Sequence, residues 1–159
     1  MYRKIAFSML FILIALAACH RNDRKSSAIK GDCCMNPIPE DKAAQKVMGT
    51  WKWIETTYFS ENHGELLKTP LNTGRKYTYT FDRDFLIISS EGSVTDKVRY
   101  EIGMLKDITS FPQDTTLIIR LTDSRNQQRI SLLHFCGDNI ILVNSYNNLG
   151  GNITLKKVG

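Results

Sequence analysis

Hydrophobic and polar residues alternate along most of the chain after residue 49. Between Arg75 and Asp82, the aromatic residues Tyr77, Tyr79 and Phe81 occupy every second position, with lysine or threonine between them. A period of two is typical of a β-strand that buries one face. Comparable patterns predict eight strands, at 50–59, 75–82, 85–89, 94–102, 115–122, 129–136, 139–146 and 152–158.

The segments between these strands are short and rich in turn-forming residues. Examples are Glu91-Gly92-Ser93 and the 147–151 run with its two glycines. Short turns join antiparallel neighbours, and closing the sheet removes its exposed edges. The pattern therefore predicts an all-β fold, a single antiparallel up-and-down β-barrel of about eight strands, with a two-sheet sandwich as the alternative. Lys42–Met48 could form one or two helical turns before the first strand.

The N-terminus has the features of an export signal. Arg3 and Lys4 precede an apolar run from Ile5 to Ala18, which is shorter than the roughly 20 residues that a transmembrane helix needs. The run ends in Leu16-Ala17-Ala18-Cys19, which closely resembles the lipobox of bacterial lipoproteins. That resemblance implies cleavage before Cys19 and lipid on its sulfur and amino group. We therefore expect a signal at 1–18, a flexible tether at 19–48 and a domain at 49–159.

Charge argues against a nucleic-acid partner. The chain has a formal net charge of +5, but from Gly49 onward 13 basic residues face 12 acidic ones. A nucleic-acid binder needs a clustered basic face, which this domain lacks. The basic tether is better suited to anionic head groups beside the lipid. His20 after the cysteine resembles the start of outer-membrane lipoproteins, so we expect a lipid-anchored envelope protein, on the outer membrane.

The other cysteines allow a disulfide to the tether. Cys33 or Cys34 could pair with Cys136 in an oxidising compartment, although Cys136 could also be a plain core residue. The histidines are scattered, and no second cluster of cysteine and histidine has the spacing of metal ligands. We expect no metal and no cofactor.

A second resemblance concerns the fold. Gly49-Thr50-Trp51 looks like the G-x-W motif of lipocalins. Together with the lipobox, the tether and the strand meander, it resembles the small lipocalin-like lipoproteins of Bacteroidetes-type bacteria. The resemblance implies that Gly49 and Trp51 are fold residues at the closed end of the barrel. It also implies that Lys156 or Lys157 lies over the tryptophan ring.

Alternation from Trp51 predicts which side chains face the barrel interior. The expected lining residues are Trp53, Glu55, Tyr77, Tyr79, Phe81, Tyr100 and His134. Aromatic walls with a few polar groups are typical of ligand sites. The first hypothesis is therefore a barrel that binds a small apolar or amphipathic molecule.

The alternative is a barrel with a filled core that contacts or inhibits another envelope protein. Its contact surface would be the loops Ser60–Asn72 and Lys106–Asp114, with Phe111-Pro112 at the tip of the second. The sequence has no nucleophile elbow and no phosphate-binding glycine loop, so we do not expect an enzyme.

Overall fold

A computed structural model describes residues 38–60, 64–106, 115–144 and 150–159. Several sequence-based expectations fall outside these ranges and stay predictions. They concern the signal at 1–18, the lipidation site Cys19, the tether up to residue 37, Cys33, Cys34, and the 107–114 loop with Phe111-Pro112.

The described part of the chain forms two helices and nine strands. In chain order they are α1 (Glu40–Val47), β1 (Gly49–Ser60), β2 (Gly64–Lys68), α2 (Pro70–Thr73), β3 (Tyr77–Phe81), β4 (Phe85–Ser90), β5 (Ser93–Lys106), β6 (Thr115–Thr122), β7 (Gln128–Cys136), β8 (Asn139–Val143) and β9 (Asn152–Lys157).

Pairing between the first and last strands closes the sheet. Strands β3 to β9 pair with their neighbours in chain order, all antiparallel, and β1 pairs with β3 on one side and β9 on the other. The result is a closed antiparallel barrel of eight strands, which confirms the predicted fold class. The remaining strand, β2, is not part of this ring. It extends the sheet by pairing with the second half of β1, Thr56–Ser60.

The segment expected to be the loop Ser60–Asn72 contains regular structure instead. It holds β2 and the short helix α2, so the expectation of a simple loop was wrong. Thr69 and Asn72 form a reciprocal capping box: the Thr69 amide donates to Asn72 Oδ1 at 2.8 Å, and the Asn72 amide donates to Thr69 Oγ1 at 3.3 Å. Asn72 Nδ2 also donates to the Leu67 carbonyl at 2.8 Å, which ties the helix to β2.

The last residues of the expected tether belong to the folded unit. Helix α1 corresponds to the helical turns predicted at Lys42–Met48, but it begins two residues earlier, at Glu40, and ends at Val47. Its residues Ala43 and Val47 are fully buried in the same cluster as the barrel core. The helix lies against β5 and covers one end of the barrel. The folded unit therefore includes this helix as well as the strands from Gly49 onward.

Candidate functional site: a cavity open at one end of the barrel

The barrel encloses a half-open cavity. Its volume is about 1230 Å³, and its walls come from β1, from β3 to β9 and from the β2–α2 segment. Ligand pockets usually measure about 300–1,000 Å³, so the space is large enough for a small molecule. The interior of this barrel is therefore only partly filled by side chains.

The other end of the barrel is closed around Trp51. This side chain is 1 % exposed, and its Nε1 donates to the carbonyl of Val47 in α1 at 2.7 Å. The Nζ of Lys157 lies 5.3 Å from the centroid of the Trp51 ring. Gly49 has φ of +109°, a conformation that favours glycine, and precedes the tryptophan at the start of β1. These contacts hold helix α1, β1 and β9 together.

Phe81 and Tyr100 also belong to this closed end. Phe81 is 1 % exposed and meets the Tyr100 ring edge to face, with centroids 5.3 Å apart. The Tyr100 hydroxyl donates to the Asp82 carbonyl at 2.8 Å and lies 3.2 Å from Met48 Sδ. Burial, and then the neighbouring Asp82 and Asp84, raise the pKa of Tyr100. Neither aromatic side chain lines the cavity, so their expected place in its wall was wrong.

Three of the expected lining residues do form the cavity wall: Trp53, Tyr77 and Tyr79. Trp53 and Tyr77 pack edge to face with centroids 5.5 Å apart, and Trp53 Nε1 donates to Thr56 Oγ1 at 2.9 Å. Burial, with smaller contributions from Tyr77 and Tyr58, raises the pKa of Tyr79 to about 12. Its hydroxyl therefore stays protonated and can donate a hydrogen bond inside the barrel.

A β-bulge removes Glu55 from the expected wall. Where β1 pairs with β9, Trp53 lies opposite Leu155 and Glu55 lies opposite Thr154. One residue of β1 between them therefore has no partner in β9. Beyond the bulge Thr56 lines the cavity, whereas Glu55 does not. Glu55 is instead 2 % exposed and accepts a hydrogen bond from Thr154 Oγ1 at 3.5 Å. Its expected place in the lumen was wrong because a bulge shifts the alternation.

His134 lies on the outer face of the barrel. It pairs with Ile141, while the adjacent pair, Leu133 with Leu142, is buried inside. Successive residues of a strand point to opposite faces, so His134 points away from the lumen, and its expected place in the wall was wrong. It is half-buried there, and this burial lowers its pKa.

The bulge also brings an unforeseen residue, Tyr58, into the wall. Alternation counted from Trp51 puts position 58 outside, but Tyr58 lines the cavity. A Cβ on Gly151 would lie 2.5 Å from Thr56 Cγ2 and 2.8 Å from Tyr58 Cε1. Only glycine fits so close to the tyrosine ring, and Gly151 therefore helps to define the shape of this wall.

Two polar residues of the cavity wall were also missed. Ser131 Oγ donates to Asn144 Oδ1, and Asn144 Nδ2 donates to the Gly151 carbonyl at 3.1 Å. Both residues line the cavity. Asn144 follows the last residue of β8, and the sequence pattern gives no sign that its side chain ties two strand ends together.

Charged side chains surround the mouth of the cavity. Lys68, Arg75 and Arg129 line it and are exposed to solvent, as is one acidic residue, Asp96. We call the three basic residues the cationic rim. The sequence pattern did not reveal it, because Arg129 lies far along the chain from Lys68 and Arg75 and the three share no motif.

Cys136 is buried on β7 and is disulfide-bonded. The expected partners, Cys33 and Cys34, lie outside the described residues, so the pairing stays a prediction. Within the described ranges, no three histidine, cysteine, aspartate or glutamate side chains are placed to hold a metal ion. None of the helices described is both long and apolar enough to cross a membrane.

The resemblance to lipocalin-like lipoproteins rests on the sequence motifs alone and stays a prediction. Comparison of the chain with protein families, with curated proteins and with solved structures gives no match.

Proposed function

We propose that this chain is an envelope lipoprotein whose barrel binds a small apolar or amphipathic molecule. The observation that carries the proposal is the cavity of about 1230 Å³, closed at the Trp51 end and open at the other. Trp53, Tyr77 and Tyr79 supply large rigid apolar surfaces, which bind ligands with little loss of conformational entropy. The alternative of a filled barrel acting through its loops has less support, because the cavity is open.

Ligand binding is tested by titration of the chain from His20 onward. That chain keeps every described residue together with Cys33, Cys34 and Cys136. Trp53 lies in the wall, so saturable changes in tryptophan emission are expected on addition of fatty acids, bile acids or the neutral dye Nile red. Absence of saturable binding by all of these probes would contradict the proposal.

Substitution of Tyr79 locates the binding. Tyr79→Ala removes a ring from the wall, and we expect about a tenfold change in affinity, equivalent to about 1.4 kcal/mol. Tyr100→Phe is the matched control, because it alters a tyrosine at the closed end and should leave affinity unchanged. Equal effects of the two substitutions would place the probe outside the cavity.

Membrane attachment through Cys19 is the second part of the proposal. Two or more acyl chains hold a protein stably on a membrane, whereas one does not. Labelled palmitate should therefore appear on the wild-type chain and not on Cys19→Ser. Cys33→Ser serves as the control that keeps the label. An unlabelled wild-type chain would overturn the lipoprotein assignment without affecting the ligand proposal. We assign no catalytic step to the chain.

A further inference from the structure

The cavity differs in character between its inner part and its mouth. Its inner wall is mainly apolar, with Leu86, Val98 and Leu142 buried beside Trp53. At the mouth, the three basic residues of the cationic rim outnumber the acidic Asp96. The charge of these four residues is therefore +2, although the domain as a whole is nearly neutral. A cavity with low-dielectric walls concentrates the field of such charges at its opening.

Two of the rim cations contact tyrosines of the wall. Lys68 Nζ lies 4.7 Å from the centroid of the Tyr58 ring. Arg75 Nη1 lies 3.5 Å from the Tyr77 hydroxyl. Both contacts hold a positive group next to the aromatic surface that leads into the barrel. The cations are therefore directed toward the mouth of the cavity.

Both of these cations come from residues 64–75, the segment that contains β2 and α2. Lys68 is the last residue of β2 and pairs with Thr56, a cavity residue of β1. Arg75 follows Gly74, whose amide donates to the Pro70 carbonyl at 3.0 Å at the end of α2. The barrel closes without this segment, because β1 pairs with β3 and β9 independently of it. The hydrogen-bonded cap of α2 fixes the end of this helix, and Arg75, which follows the cap, places positive charge beside the mouth of the cavity.

We propose that the ligand is an amphiphile with an anionic head group, bound with its tail in the apolar interior and its head group at the cationic rim. This inference rests on the proposed ligand-binding function and narrows its ligand class. Carboxylate, sulfate and phosphate head groups share the required chemistry. Hydrogen bonds from lysine and arginine to such oxyanions are charge-assisted and stronger than those between neutral groups.

Three probes built on a twelve-carbon chain separate charge from apolar contact. They are dodecanoate, dodecanol and dodecyltrimethylammonium, titrated into the chain from His20 onward. The two ionic probes are kept below their critical micelle concentrations and dodecanol below its solubility limit. We expect dodecanoate to bind at least tenfold more tightly than dodecanol. The cationic probe should bind more weakly than dodecanol. Raising the salt concentration should narrow the difference between dodecanoate and dodecanol, because exposed charges are screened.

Substitution of the rim distinguishes a local head-group site from general charge. In Lys68→Gln/Arg75→Gln/Arg129→Gln, the affinity for dodecanoate should fall to that for dodecanol, and dodecanol binding should stay unchanged. The control, Lys52→Gln/Arg99→Gln/Lys156→Gln, removes the same charge from exposed residues that do not line the cavity. It should keep the preference for dodecanoate.

The outcomes separate this inference from the proposed function. Equal affinity of the wild-type chain for dodecanoate and dodecanol overturns the head-group assignment and leaves the ligand-binding proposal intact. A similar loss of preference in the rim variant and in the control variant also overturns the head-group assignment. Failure of all three probes and of Nile red to bind overturns both proposals.

Discussion

Replacement of Trp51 by alanine tests whether the closed end holds the fold together. The indole is 1 % exposed, and its truncation typically costs about 3–5 kcal/mol. The Nε1 hydrogen bond of 2.7 Å to Val47 is lost as well, leaving a buried carbonyl of α1 without this donor. A hydrogen bond of this kind contributes about 1 kcal/mol, so we expect a loss near the top of the range. Such a loss is a large fraction of the free energy of unfolding of a small domain, which is about 5–15 kcal/mol in total.

The measurement is urea unfolding followed by far-UV circular dichroism, compared with Trp51→Phe and Leu71→Ala. Trp51→Phe keeps an aromatic ring and loses the donor, so its cost should be about 1–3 kcal/mol. Leu71 is 95 % exposed, and its truncation should change the unfolding free energy by about 0.5 kcal/mol or less. A loss below about 1 kcal/mol for Trp51→Ala would refute the role of Trp51 as the centre of the closed end.

Two further predictions concern the steric fit of Gly151 and the lowered pKa of His134. In Gly151→Ala the new Cβ meets Thr56 and Tyr58, so the free energy of unfolding, measured by thermal denaturation, should fall by about 1–3 kcal/mol. Gly103→Ala should be milder, since its Cβ meets only Ile118 Cγ1 at 3.9 Å; equal costs would contradict the steric reasoning. For His134, burial lowers the pKa, so the unfolded chain binds the proton more readily and stability falls as pH drops below about 6.5. His134→Gln should show a smaller fall in melting temperature between pH 7.5 and 5.5 than the wild type, and identical slopes would count against the assignment.

Alternation predicted the barrel and part of its wall for a clear physical reason. In β3 the aromatic residues are separated by threonines, so only one face can be apolar, and Tyr77 and Tyr79 were assigned to the interior correctly. In β7 the run Leu132-Leu133-His134-Phe135 is apolar on both faces. Its orientation depends on the pairing of Leu133 with Leu142, which a single strand does not reveal.

The remaining errors have two causes. The bulge between Trp53 and Glu55 reverses the phase of β1, and it depends on how β9 pairs with β1. Alternation also distinguishes inside from outside without indicating which end of a barrel is closed. Phe81 faces the interior as expected but lies at the end that α1 covers, so it fills the core and does not line the cavity.

The pairing of β1 with β9, which closes the barrel, has a consequence for the order of folding. Glu55 and its partner Thr154 are 99 residues apart in sequence, whereas each pair from β3–β4 to β8–β9 joins strands that are consecutive along the chain. Bringing such distant segments together costs loop-closure entropy, so this pairing should form more slowly than the pairing of consecutive strands. The consecutive hairpins can form as soon as their strands are available, but β1 has no partner on its β9 side until residues 152–157 are present. In a chain that emerges from its N-terminus, we therefore expect ring closure to follow formation of the consecutive hairpins.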